Sequence, residues 1–263
     1  AEDKLEHFLA NINDKRHIAS DFLLYVMEDR SGGIWVSSEY SGLSHISVLN
    51  EGTSRIYPES PDLFDRSNTI RMLTKTSDGD IWFGTRRGGL YTIDSDFHSK
   101  ITNQYFHSNI YAITEDKEGK MWMGTRGNGL KIADSWYVND PSNPTTLSAN
   151  DVFSIYRDRK ARMWVGTFGG GLDLAEPTAD GGYKFRHFFQ ERLGLRMVRV
   201  IEEDENGMVW VGTSEGICIF HPDSLIADAD NYHLFSYTNG KFCSNEIKCI
   251  YRDDKGRMWI GTS

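Results

Sequence analysis

A chain of 263 residues with 39% hydrophobic and 13% aromatic content has room for one large domain or two ordinary ones. It can fill a packed core, which excludes a disordered composition. A net charge of -9 sets the average field against nucleic acid and anionic membrane surfaces, so no nucleic-acid partner is expected.

No apolar run approaches the roughly 18–20 residues needed to cross a bilayer. The opening AEDKLEHF lacks the basic start and apolar stretch of a secretory signal. An outer strand is expected near Glu6–Asn11. Beyond it, six of the tryptophans share one local context: Trp35, Trp82, Trp122, Trp164, Trp210 and Trp259, at spacings of 47, 40, 42, 46 and 49 residues. A period in the forties with strand-like content predicts a β-propeller, one four-stranded blade per repeat. Helical repeats would show apolar residues at 3.6 spacing, and none do.

Aligned on Trp, each repeat opens on a first strand with apolar residues twelve and nine positions earlier. These are Leu23 and Val26, Ile70 and Leu73, Ile110 and Ile113, Val152 and Ile155, Val198 and Ile201, Ile247 and Ile250. A tight turn follows, with Asp six and Gly three before the Trp, as in Asp116 and Gly119 or Asp204 and Gly207. Asp caps its own turn and Gly accepts positive φ, so EDKEGK and EDENGM read as hairpins. Thr76 replaces the Asp in the second repeat and Ala161 the Gly in the fourth. The second strand is the Trp-x-Gly-Thr phrase itself. Its Trp fills the wedge between blades, Gly84, Gly124, Gly166 and Gly212 permit close backbone approach, and Thr85, Thr125, Thr167 and Thr213 can bond nearby backbone. GLYTID, GLKIAD, GLDLAE and GICIFH form third strands, and less regular outer strands such as YKFRHFF and HLFSYTNG follow.

The expected fold is therefore all-β: a β-propeller of four-stranded antiparallel blades, a single fragment over 1–263. About five full blades run from residue 18 to 243, with a closing hairpin from Asn245 to Thr262. Because an open blade edge is a liability and the sequence stops inside a copy of its own phrase, a parent longer at both ends, or pairing with another copy, is expected. Cys218, Cys243 and Cys249 form no CxxC pair and exclude a disulfide framework. They read as buried strand residues, with one bridge plus a free thiol as the alternative.

The recurring N-x-V-x-x-I-x-x-D-x-x-G-x-x-W-x-G-T-x-x-G-L resembles the two-component regulator propeller repeat of Bacteroidetes hybrid two-component sensors. DPSNPTTLSANDVFSIYRD (140–158) resembles that family's linker between blades. The first copy departs most, with Ser37 and Ser38 in place of Gly and Thr. The resemblance implies a periplasmic sensor whose parent carries two propellers, an immunoglobulin-like domain, one membrane helix, a histidine kinase and a DNA-binding response regulator. It implies recognition of oligosaccharides and control of glycan-utilisation genes, with further blades, downstream domains and a second copy of the parent as partners. None of the kinase or regulator parts lies in these 263 residues.

Propeller ligands usually sit on the face bearing the loops into the first strand and out of the second. Eleven positions before each Trp stand Leu24, Arg71, Tyr111, Phe153, Arg199 and Lys248; thirteen before, Phe22, Thr69, Asn109, Asp151, Met197 and Glu246. After the Gly-Thr come Arg86 and Arg87, Arg126, Phe168, then Ser214 and Glu215. Arg offers bidentate bonds to carboxylate or sulfate, and an aromatic ring offers a platform for a sugar. The candidate ligand residues are thus Arg71, Arg86, Arg87, Tyr111, Arg126, Phe153, Phe168, Arg199 and Lys248, for an anionic oligosaccharide. The competing reading is that these cations pair with Asp and Glu of neighbouring blades. No catalytic constellation, metal spacing or cofactor is read: TSDGDIW resembles a sialidase Asp-box, itself a turn, and His98, His187 and His221 are expected at the surface or an edge. A protein-binding scaffold and, behind it, a carbohydrate-active enzyme are the alternatives.

Overall fold

The repeated apolar positions and the Asp-x-x-Gly turns carry over directly into antiparallel hairpins. The structure, a computed structural model, describes residues 9–11, 13, 14, 17–29, 32–39, 41–47, 52–58, 60, 62, 65–93, 99–237 and 244–263, without the side chains of 52–54, 66 and 99–105. Among them are five four-stranded antiparallel sheets and one two-stranded sheet, so the fold is an all-β propeller of five blades with a further hairpin. The chain divides between Ile113 and Thr114 into two compact units. The strand expected near Glu6–Asn11 lies mostly outside the described residues, and Leu9 to Asn11 are not in a strand.

In the first unit, β1 (Leu23–Glu28), β2 (Ile34–Ser38), β3 (Leu43–Ser47) and β4 (Gly52–Ile56) pair in sequence order. So do β5 (Ile70–Lys75), β6 (Ile81–Thr85), β7 (Gly89–Ile93) and β8 (Ser99–Tyr105). Trp35 is fully buried in one cluster with Ile70 and Leu73 of the next blade's first strand and with Phe83 and Tyr91. Blade one keeps the fold despite its departures, because Ser38 Oγ donates to Gly42 O at 3.2 Å as Thr does elsewhere.

The third sheet holds β9 (Ile110–Glu115), β10 (Met121–Thr125), β11 (Leu130–Ile132) and β12 (Ser135–Tyr137). Within the second unit follow β13 (Val152–Arg157), β14 (Met163–Thr167), β15 (Gly171–Pro177) and β16 (Tyr183–Phe188). Then come β17 (Val200–Glu203), β18 (Val209–Gly212), β19 (Ile217–Phe220) and β20 (His233–Phe235), and the hairpin of β21 (Ile247–Arg252) and β22 (Met258–Thr262). Neither a 3-10 turn at Arg66–Asn68 nor a short helix α1 (Pro222–Ala227) between β19 and β20, with Pro at its start and Leu225 buried, was legible. Six residues carry too little apolar periodicity to signal a helix.

The recurring six-residue spacing of Asp and Trp has a second cause besides the turn. Asp29, Asp116, Asp158, Asp204 and Asp253 each accept the indole N–H of the Trp six residues on, at 2.9–3.1 Å. The other carboxylate oxygen takes the backbone N–H four residues on, as with Lys120 and Arg162. One side chain thus satisfies the turn and the polar edge of the wedge residue. In the second repeat the Thr76 hydroxyl instead donates to Asp80 O, 3.0 Å away. Ala161, in the Gly position, keeps the left-handed turn conformation at φ 61. Thr85, Thr125, Thr167 and Thr213 are fully buried and donate to Gly89, Gly129, Gly171 and Gly216 carbonyls, fixing the turn into the third strand.

The linker resembling the family's inter-blade segment is pinned to the fourth blade by polar groups. Fully buried Asp173 accepts Ser148 N–H at 2.9 Å, and Phe185 N–H donates to Thr145 O at 2.8 Å. His187, expected at a surface or edge, is half-buried, and its Nε2 lies 2.7 Å from Thr146 O and 4.0 Å from Asp173 Oδ1. His221 is exposed, and His98 lies outside the described residues. Asp173 Oδ1 has no hydrogen-bond partner among the described residues. Burial pushes its carboxyl up to about 7. A raised folded pKa means stability that is complete below the ordinary carboxylate pKa and lost as pH rises through about 7. Asp173→Asn is therefore expected to gain about 1–3 kcal/mol over the parent at pH 8. Urea unfolding at pH 8 and pH 5 should show that gap closing at the lower pH.

Candidate functional site

Four of the six positions eleven before each Trp share a structural reason for pointing away from the sheet. In β1, β5, β13 and β21 the pairing register slips by one residue, and the residue skipped is Leu24, Arg71, Phe153 and Lys248 in turn. A β-bulge leaves its extra residue out of the ladder and re-aims the side chain, which is why bulges recur beside binding sites. Arg199 immediately precedes β17, its N–H bonded to Gly212 O at 2.9 Å. In these four repeats the variable position noted in the sequence is thus the bulge position of the fold.

Within the first unit, Arg71 and Tyr111 from successive repeats meet: the guanidinium carbon lies 5.2 Å from the ring centroid. Asn109 Nδ2 is 3.5 Å from Tyr111 Oη. Arg71 Nε is buried with no partner among the described residues. Arg86 is half-buried, its backbone N–H on Thr69 O at 2.9 Å, and Arg87 is exposed.

Within the second unit, Phe153 and Phe168 stack with centroids 5.1 Å apart and planes 27° apart. Phe168 is held by its N–H on Asp151 O at 2.8 Å and by an isolated bridge to Met197. The Arg199 guanidinium lies 5.2 Å from the Phe168 centroid. Its Nη2 donates to Glu246 Oε1 at 2.7 Å, and Lys248 Nζ donates to the same oxygen at 2.6 Å. Arg126 is exposed on the turn after β10. The structure therefore joins Phe153, Phe168, Arg199 and Lys248 in one cluster, and it also bears out the competing reading for Arg199, which pairs with a carboxylate of the next repeat. Glu246 was visible in the sequence as a variable residue, but nothing in its spacing marked it as the shared acceptor.

Among the described residues no group of three His, Cys, Asp or Glu side chains could hold a metal ion. No helix there is long and apolar enough to cross a membrane. Cys218 is a buried free thiol pushed up to about 12 by burial, Cys249 is exposed and free, and Cys243 lies outside the described residues.

Residues 66–87, 104–127, 146–169 and 241–263 match the family described as two component regulator propeller. The chain carries two-component regulator propeller repeats. The copies centred on Trp35 and Trp210 fall outside those ranges but fold as the same four-stranded sheet. No curated protein sequence matches the chain. Among solved structures, an extracellular domain of a hybrid two-component system from B. thetaiotaomicron is similar at 20% identity and TM-score 0.51, covering 93% of this chain. The chain spans 33% of that domain's length. Virginiamycin B lyase from Staphylococcus aureus aligns over 97% of this chain and 80% of its own at 15% identity, TM-score 0.69. PorZ of Porphyromonas gingivalis, a surface component of a type-IX secretion system, aligns over 92% and 37% at 15% identity, TM-score 0.67. At these identities the structural likeness speaks for the propeller fold. The repeat match and the structural likeness agree on a regulator propeller.

Proposed function

We propose that this regulator propeller is the ligand-sensing part of a periplasmic sensor whose membrane-anchored parent carries a histidine kinase and controls glycan-utilisation genes. Its ligand is an oligosaccharide bearing carboxylate or sulfate. The observation that carries this reading is the cluster of Phe153, Phe168 and Arg199: an aromatic platform with a guanidinium against it, set on bulge and loop positions. A sugar ring stacks on the first and an anionic substituent bonds the second. Signalling then draws on the ligand's differential affinity for two arrangements of paired ectodomains in a homodimeric parent. The lyase likeness is one of fold and supports no reaction here.

Isothermal titration against neutral, uronate-containing and sulfated oligosaccharides tests this. A uronate or sulfated member is expected to bind, and Arg199→Ala to weaken it about 10- to 100-fold, the worth of a charge-assisted bond. Binding that survives both Arg199→Ala and Arg71→Ala would move the site elsewhere. Silence across the panel would favour a protein-binding scaffold.

A further inference from the structure

Two cations of the cluster are already engaged by a carboxylate of the chain itself. Arg199 Nη2 and Lys248 Nζ converge on the single oxygen Glu246 Oε1, while Oε2 accepts Ser263 Oγ at 3.1 Å. Arg199 is otherwise little used: Nε is buried without a partner among the described residues, and the guanidinium lies against Phe168. The trio carries two positive charges and one negative. All three side chains reach solvent, at 24%, 33% and 46% exposure for Arg199, Glu246 and Lys248, so an incoming anion can reach them.

We infer that Glu246 is a built-in competitor for the anionic group of the ligand, and that it makes the site reject small free anions while admitting an anion delivered on a sugar ring. The deduction deepens the oligosaccharide reading and rests on it for the second half. A carboxylate or sulfate that takes both cations must displace Glu246 from two charge-assisted bonds. A free inorganic anion has nothing else to offer, so exchange is close to neutral. A uronate or sulfated sugar adds ring contact with the exposed part of the Phe153–Phe168 stack, and that contact decides the exchange. Lys248, with Ser263 and Arg199, holds the Glu246 carboxyl below its usual range, so it stays ionised and competes at any pH near neutral.

The test is an NMR titration of the full chain with sodium sulfate at constant ionic strength, beside a titration with a galacturonate trisaccharide. Glu246→Gln keeps the side-chain shape and removes the charge. It should tighten sulfate binding at least about fivefold, since one unit charge within hydrogen-bonding range is removed from a partly solvated site. Adding Arg199→Ala to Glu246→Gln should abolish that gain. Sulfate binding unchanged or weakened by Glu246→Gln overturns the inference. A sulfate gain in Glu246→Gln, with no trisaccharide binding by any variant, keeps Glu246 as the competing anion and overturns its selectivity for sugars. That last outcome marks failure of the oligosaccharide reading rather than of the carboxylate's role.

Discussion

Asp158→Ala is expected to destabilise the chain by about 3–5 kcal/mol, the cost of breaking a buried charge-assisted network by removing one partner. The Asp158 side chain is 1% exposed. Its Oδ2 accepts Trp164 Nε1 at 3.0 Å and Arg162 Nε at 2.6 Å, and its Oδ1 accepts the backbone N–H groups of Lys160 and Arg162. Truncation strands an indole N–H inside the core, because Trp164 is fully buried. Urea unfolding with an unchanged m-value would report the loss. The equivalent Asp253→Ala serves as an internal control. Its Trp259 is 56% exposed, so water replaces the lost bond and a much smaller effect is expected.

A comparable loss, about 2–3 kcal/mol, is expected from Gly124→Ala, through overpacking. A Cβ there would sit 2.5 Å from Val152 Cγ1 and 3.0 Å from both Val152 Cβ and Val152 O. Val is stiff at χ1 and its carbonyl is fixed in strand backbone, so neither gives way cheaply. Three residues on, Gly127 has open space around its would-be Cβ. Gly127→Ala should cost no more than about 1–2 kcal/mol, the price of a left-handed residue without Gly at φ +87. Combining Gly124→Ala with Val152→Ala should recover part of the first loss. Stability measured across that double-mutant cycle checks whether the clash is the cause.

These two sites mark how far the repeat could be read. Asp, Trp, Gly and Thr recur at fixed offsets because each serves a local constraint repeated in every blade. The turn needs an acceptor, the wedge needs a large flat residue, the neighbouring strand needs room, and the next turn needs a hydroxyl. Patterns of that kind are legible because they are periodic. The hydrogen bond from Trp to the Asp six residues before it was hidden in plain spacing: the turn alone already explained the Asp. His187 stands on the edge strand β16, within what was expected, but its partners were hidden for another reason. It faces Asp173 across β15 and β16 and pins a linker about forty residues earlier in the chain, a contact with no sequence period.

The sequence by itself determined the propeller repeat, its strand order and the positions where side chains vary, because the fixed Trp spacing and the turn chemistry recur within each blade. It also marked Leu24, Arg71, Tyr111, Phe153, Arg199 and Lys248 as a variable set. Tertiary structure alone decided what those variable residues do. Bulges at Arg71, Phe153 and Lys248 turn them out of the ladder. Arg199 then meets Phe168 of the preceding repeat and Glu246 of the following one, 31 residues back and 47 residues on. Charge pairing acts through space over a few ångströms, and separations of that length along the chain leave it without a local signature.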